Sequence, residues 1–226
     1  MENRITIKSA DDIDLPVYVY EPNGIRSGSL VLIQEIFGVN DHIKSVAKKF
    51  SDEGYIVWVP ELYHRLGDNI QLGYKGNTVE EAKKLKAQCG WELPVMDIMS
   101  CVGSLKINHS VSLIGFCYGG SLAWKSACVG YGLNCSISFY GSQITDFLNL
   151  NTRCPTLVHL GEKDMSINEE SQKEIIDYSK SSTQPVKVYK YKNADHGFFC
   201  NERESYHKKS AELAFNRSIN FLKKFQ

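Results

Sequence analysis

Val111-Ser-Leu-Ile-Gly-Phe-Cys-Tyr-Gly-Gly120 sets the reading of the whole chain. Val111, Leu113 and Ile114 give a short buried strand. Gly115-Phe-Cys-Tyr-Gly119 then places a cysteine between two glycines in a tight turn, and Ser121-Leu-Ala-Trp-Lys-Ser-Ala127 continues as a helix. Strand, Gly-x-Cys-x-Gly turn and helix together are the setting of a nucleophile elbow. The glycines are needed because a side chain at either position would clash in the cramped backbone that presents the central residue. Cys117 is expected to point into solvent beside the positive end of the following helix, which favours thiolate, the reactive form of the side chain.

Outward from this stretch the chain alternates strands and helices. Residues 4–8 and 16–20 carry period-two patterns and form an antiparallel hairpin at one edge of a sheet. Leu30-Val-Leu-Ile-Gln34 is a buried strand. A helix capped by Asn40 or Asp41 follows, with Ile43, Val46, Ala47 and Phe50 on one face and Gly54 closing it. Tyr55-Ile-Val-Trp-Val59 is the next strand, stopped by Pro60. Residues 61–77 are a polar, glycine-containing excursion expected to cover the site, and 78–106 are helical with breaks near Gly90 and Pro94. Beyond the elbow, strands are expected over 135–140, 154–160 and 186–191, with a helix over 168–179. The terminal helix carries Ala211, Ala214, Phe215, Ile219 and Leu222 on one face. This alternation predicts one α/β domain over 1–226: a mainly parallel twisted sheet, helices on both faces, right-handed crossovers.

Composition excludes several classes. Lys+Arg and Asp+Glu balance at 26 each, so neither a nucleic acid nor a membrane surface is implied as partner. The N-terminal residues lack the apolar core of a signal peptide, and no stretch has the length of a membrane span. Seven cysteines form an odd set with no Cys-x-x-Cys and no zinc-like spacing, so neither a metal nor another cofactor is expected. They sit in apparent core segments as small hydrophobes, which fits a reducing cytoplasm. A monomer is the default.

Four chemically capable residues fall at predicted strand ends, where ligands gather in such sheets: Glu35, Cys117, Asp164 and His196. The last three run in the order nucleophile, acid, histidine, as in the α/β-hydrolases. From the loop after the final strand His196 can reach Cys117, and Asp164 can orient its imidazole. Singly, each has a plainer reading: Asp164 as the cap of the next helix, His196 as a loop histidine, Glu35 as a partner for a surface cation. His159 lies within a strand and reads as a core histidine; His42, His64, His109 and His207 read as surface residues.

Gln34-Glu-Ile-Phe-Gly-Val-Asn40, Pro60-Glu-Leu-Tyr63, Gly115-Phe-Cys-Tyr-Gly-Gly120, Gly161-Glu-Lys-Asp164 and Asp195-His-Gly-Phe198 together resemble the dienelactone hydrolase (carboxymethylenebutenolidase-like) family, from about Ile13 to Leu222. The resemblance implies an α/β-hydrolase fold and cleavage of a small ester or lactone through an acyl-enzyme thioester. It makes Cys117 the nucleophile, His196 the base and later the acid, and Asp164 its orienter. The backbone N–H groups of Ile36 and Tyr118 become the oxyanion hole, and Glu35 contacts the resting thiol. In the family an arginine four residues after the histidine clamps the substrate carboxylate. That position here is Cys200, which cannot do so. Arg203, Arg65 and Lys75 are the candidate replacements, and Phe37 and Phe198 the candidate apolar contacts.

Other cysteine-elbow proteins fit less well. A glutamine amidotransferase needs His-x-Glu after the last strand, whereas His196 is followed by Gly197 and Phe198. A redox sensor has no use for an Asp164-like partner, and a binding module on a decayed scaffold would have lost a member of the trio.

Overall fold

The computed structural model describes residues 2–106 and 110–225. Among these residues eight strands form one sheet: β1 (Glu2–Lys8), β2 (Asp14–Tyr20), β3 (Gly28–Ile33), β4 (Tyr55–Pro60), β5 (Val111–Phe116), β6 (Ser136–Phe139), β7 (Thr156–Gly161) and β8 (Val186–Tyr191). Their order across the sheet is β1-β2-β4-β3-β5-β6-β7-β8. The β1–β2 and β2–β4 pairs are antiparallel and every other pair is parallel, so the expected hairpin lies at one edge.

Among the described residues six α-helices flank the sheet: α1 (Asp41–Asp52), α2 (Thr78–Cys89), α3 (Glu92–Lys106), α4 (Tyr118–Val129), α5 (Glu169–Ser181) and α6 (Lys208–Phe225). Strand periodicity divides the core. Leu30 and Leu32 of β3 face one side and join Ile43, Val46, Ala47 and Phe50 of α1 and Ala211, Ala214, Phe215, Ile219 and Leu222 of α6. Val31 and Ile33 face the other side with Val95, Ile98, Val102 and Leu105 of α3. The helix faces read from the sequence are therefore the buried ones. Asn40 rather than Asp41 caps α1, its side chain accepting from the Ile43 N–H.

Pro94 does not break a helix. It sits in the first turn of α3, where its missing N–H would have had no intrahelical partner. The break falls at Gly90, whose φ is +67°. His42 and His64 are not surface residues: His42 is 2% exposed and the His64 side chain 5%. His64 hydrogen-bonds the buried Asp97. His207 is half-buried beside Ser210, and His109 lies outside the described residues. His159 is the expected core histidine, fully buried between the Tyr191 and Ser218 hydroxyls. Among the described residues no helix is long and apolar enough to cross a membrane.

The chain leaves β3 towards β4 on one side, and β5 begins the run on the other. Strand order thus reverses between β3 and β5. The crevice outside the carboxyl ends of these two strands is where a ligand site forms in an open parallel sheet. Glu35 follows β3 and Cys117 follows β5.

Candidate active site

Cys117 occupies the turn between β5 and α4 with φ +55° and ψ −115°, a strained conformation for any residue but glycine. Close packing enforces it. A Cβ on Gly115 would lie 2.0 Å from the Gly119 carbonyl oxygen, and one on Gly119 2.4 Å from that of Gln34. The two glycines therefore let α4 start directly against the ends of β3 and β5. The Cys117 N–H donates to the Phe139 carbonyl at 3.0 Å, and its side chain does not cap the helix. Contrary to the expectation of an outward-pointing thiol, Cys117 is only 8% exposed.

Its sulfur lies 3.2 Å from His196 Nε2. His196 Nδ1 is 2.8 Å from Asp164 Oδ2. The other Asp164 oxygen accepts from the Ser166 N–H at 2.8 Å, so the buried carboxylate is satisfied on both sides. Asp164 is not a helix cap; Asn168 caps α5. Burial resists charge on His196, but the Cys117 sulfur and the Asp164 carboxylate outweigh it and push the imidazole up to about 10. At neutral pH this histidine holds its proton.

Among the described residues the backbone N–H groups of Ile36 and Tyr118 make no hydrogen bond. Tyr118 opens α4, so its N–H is one of the free donors at a helix start.

Glu35 differs from expectation. It is fully buried, but its partners are the Tyr74 hydroxyl, 2.7 Å from Oε2, and Arg203, 3.6 Å from Oε1. The Cys117 sulfur hydrogen-bonds His196, not Glu35. Tyr74 belongs to the 61–77 excursion, which does lie over the site. The excursion is tied down by the Leu72 N–H to Phe37 carbonyl bond at 2.8 Å and by a bridge between Gly38 and Gln71.

The candidate substrate contacts separate. Arg203 packs against the residue after His196: a Cβ on Gly197 would lie 2.4 Å from its Nη1. Lys75 lines the same cleft as Arg203, a cavity of about 630 Å³. Arg65 is elsewhere. It is held 2.5 Å from the buried Asp97 and 2.9 Å from Asp11, drawn there because Asp97 needs a cation to be buried. Phe198 is fully buried in the core among Tyr140 and Tyr191, so it is not a substrate contact. Phe37 is 3% exposed and packs edge-to-face on Tyr74 at 4.7 Å.

Sequence reading missed a second cation. Lys86 of α2 lies over the Trp91 and Tyr118 rings at 5.6 Å from each centroid, within electrostatic reach of Cys117. Burial lowers its pKa, and no carboxylate lies within ion-pair distance among the described residues. No local signal marks such a residue; α2 carries lysines throughout. It also missed that Glu35, His42 and Cys200 come together as a group able to hold a metal ion.

The sequence profile of the dienelactone hydrolase family matches residues 15–226. The chain belongs to the dienelactone hydrolase family. A protein provisionally named carboxymethylenebutenolidase from Synechocystis sp. is 29% identical over 223 residues, covering 91% of this chain and 90% of its own. The carboxymethylenebutenolidase of Pseudomonas putida is 28% identical over 229 residues, covering 98% of this chain and 96% of its own. A Klebsiella pneumoniae crystal structure, provisionally named a dienelactone hydrolase, superposes with a TM-score of 0.85 at 24% identity over 98% of both chains. The fold is thus the α/β-hydrolase fold. As a member of the dienelactone hydrolase family, the chain is a hydrolase of the ester and lactone class.

Proposed function

We propose that this enzyme cleaves a small carboxylic ester or lactone by acyl transfer to Cys117. One observation above the others supports the reading: the unbroken relay from Asp164 Oδ2 through His196 to the Cys117 sulfur, with spacings of 2.8 and 3.2 Å.

In the first half-reaction the Cys117 thiolate attacks the substrate carbonyl carbon. Negative charge moves onto the carbonyl oxygen, which the N–H groups of Ile36 and Tyr118 receive; each such donor contributes about 3–4 kcal/mol in comparable sites. Collapse breaks the carbon–oxygen bond, and the departing alkoxide takes the Nε2 proton of His196. This leaves a thioester on Cys117 and a neutral imidazole, which Asp164 keeps in the tautomer protonated at Nδ1. Neutral His196 then takes a proton from water as the water oxygen attacks the thioester. Collapse expels the thiolate and releases the carboxylic acid.

Glu35 has a supporting role in this account. Paired with Arg203 and Tyr74, its charge is offset and opposes the thiolate little. That pairing also occupies Arg203. Lys86 is then a cation free to meet a negative group on the substrate.

The test is hydrolysis of p-nitrophenyl acetate and simple lactones by wild type, Cys117→Ala, His196→Ala and Asp164→Asn. Cys117→Ala and His196→Ala should each cost about 10³ or more in kcat, and Asp164→Asn less. Retention of more than about a tenth of wild-type kcat by His196→Ala would defeat the assignment.

A further inference from the structure

Three residues from separate parts of the chain meet beside the proposed catalytic relay: Glu35 after β3, His42 on α1 and Cys200 in the loop before α6. All are buried, and one ligand atom from each lies within 4.8 Å of the other two. Polar groups in this setting normally have partners, yet His42 has no hydrogen bond and Glu35 leaves one oxygen without one. Neither ring nitrogen of His42 makes a hydrogen bond, although the side chain is 2% exposed; Asn201 is near but outside bonding geometry. The Glu35 Oε1 atom also lacks a hydrogen bond, with Arg203 3.6 Å away. Buried, unsatisfied polar atoms of this kind carry a desolvation cost that a ligand would remove.

We infer that Glu35, His42 and Cys200 bind a borderline-soft divalent cation, with zinc the best fit. One thiolate, one imidazole and one carboxylate is a donor set that zinc accepts, leaving a fourth position for water. The carboxylate and the thiolate together offset the two positive charges, so the loaded site is neutral, as burial demands. Tetrahedral zinc with bonds of roughly 2.0–2.3 Å needs its ligand atoms about 3.3–3.8 Å apart. From separations of at most 4.8 Å the three must therefore close by about 1.5 Å at most, within reach of side-chain rotation. On binding, the Cys200 proton is released to solvent and sulfur donates its electron pair to the metal. Arg203, with its side chain 24% exposed, can swing outward as the cation enters. Tyr74 stays on the second Glu35 oxygen at 2.7 Å and fixes the carboxylate from behind. A cavity of about 180 Å³ lined by His42, Lys49, Asn201 and Glu212 gives the ion a way in. Spacing could not reveal the site, because its ligands sit at positions 35, 42 and 200.

The competing location is the relay itself, since Cys117 and His196 could also take a soft metal. The experiment therefore begins from Cys117→Ala and reads binding rather than hydrolysis, so its outcome is independent of the proposed reaction. Co²⁺ is titrated into this variant and followed by its thiolate-to-metal charge-transfer and visible d–d absorption, with Zn²⁺ added as competitor. Stoichiometric appearance of both absorptions, and their bleaching by Zn²⁺, is expected. Adding Cys200→Ser should remove the charge-transfer band, and adding His42→Gln should weaken Co²⁺ binding by roughly tenfold or more. Absence of the absorptions in Cys117→Ala, or a charge-transfer band that survives Cys200→Ser, would overturn the inference.

Discussion

His196 carries the most specific expectations at the scale of the residue. Its imidazole is pushed up to about 10, with Cys117 and Asp164 together overcoming burial. The proton needed by the leaving alkoxide is thus present at neutral pH and lost as pH rises through that value. The alkaline limb of kcat/KM, which reports the free enzyme, should fall near pH 10. Asp164→Asn removes one support of the charged ring and should move that limb towards neutrality by roughly one unit or more. A limb unchanged in Asp164→Asn would mean the two side chains do not act together. Lys86 makes a separate claim: Lys86→Met should raise KM for substrates carrying a carboxylate while leaving neutral p-nitrophenyl esters nearly unchanged. Equal effects on both substrate types would remove Lys86 from recognition. Gly115, Phe116 and Cys117 were legible because a turn's chemistry is local. Lys86, Tyr74 and the true partners of Glu35 were not, because their positions depend on where α2 and the 61–77 excursion fold back. Arg65 misled for the same reason, since a buried aspartate 32 positions away claims it.

At the level of elements, the start of α4 is jammed against the end of β3. A Cβ on Gly119 would meet the backbone oxygens of Gln34 and Ile33 at 2.4 and 2.5 Å, and backbone cannot give way as a side chain can. Gly119→Ala should lower stability by about 1–3 kcal/mol, the cost of inserting an extra carbon into a tight interior. It should also lower kcat, because the strand end that moves carries Glu35 and Ile36. Thermal unfolding and ester turnover on one preparation check this; wild-type values in both would show that the close approach does not matter. The excursion is tested by Tyr74→Phe. Removing the hydroxyl deprives a buried carboxylate of its closest donor, at a cost of about 1–3 kcal/mol. Tm should fall and proteolysis within 61–77 should quicken, whereas unchanged proteolysis would mean that the Leu72 and Gln71 contacts alone hold the segment down. Helix faces such as Ile43-Val46-Ala47-Phe50 were readable because their periodicity is intrinsic. Pro94 was misread because a proline in a first turn looks the same in sequence as one that ends a helix.

Across the whole molecule, strand order decides where chemistry can occur; alternation in the sequence predicts the parallel sheet, whereas the reversal between β3 and β5 is visible only in the structure. Long-range burial also sets how the fold responds to acid. His159 is buried between two hydroxyls and its pKa is lowered to about 3, chiefly by burial. Unfolded, it takes up a proton near pH 6.5; folded, it does not until about 3. Its contribution is complete above the unfolded value and is lost as pH falls through this window. Between pH 7 and 5 the loss should be roughly 2 kcal/mol. Urea unfolding at both pH values should show a smaller loss for His159→Gln than for wild type, and equal losses would place the acid sensitivity elsewhere. Acyl transfer through Cys117 is the step on which the proposed reaction depends. Intact-protein and peptide mass spectrometry during turnover of a slowly released p-nitrophenyl ester reads this directly. Addition of one acyl group, located on Cys117 in wild type and absent from Cys117→Ala, is the predicted result. Undiminished turnover by Cys117→Ala, or the acyl group on another residue, would contradict it.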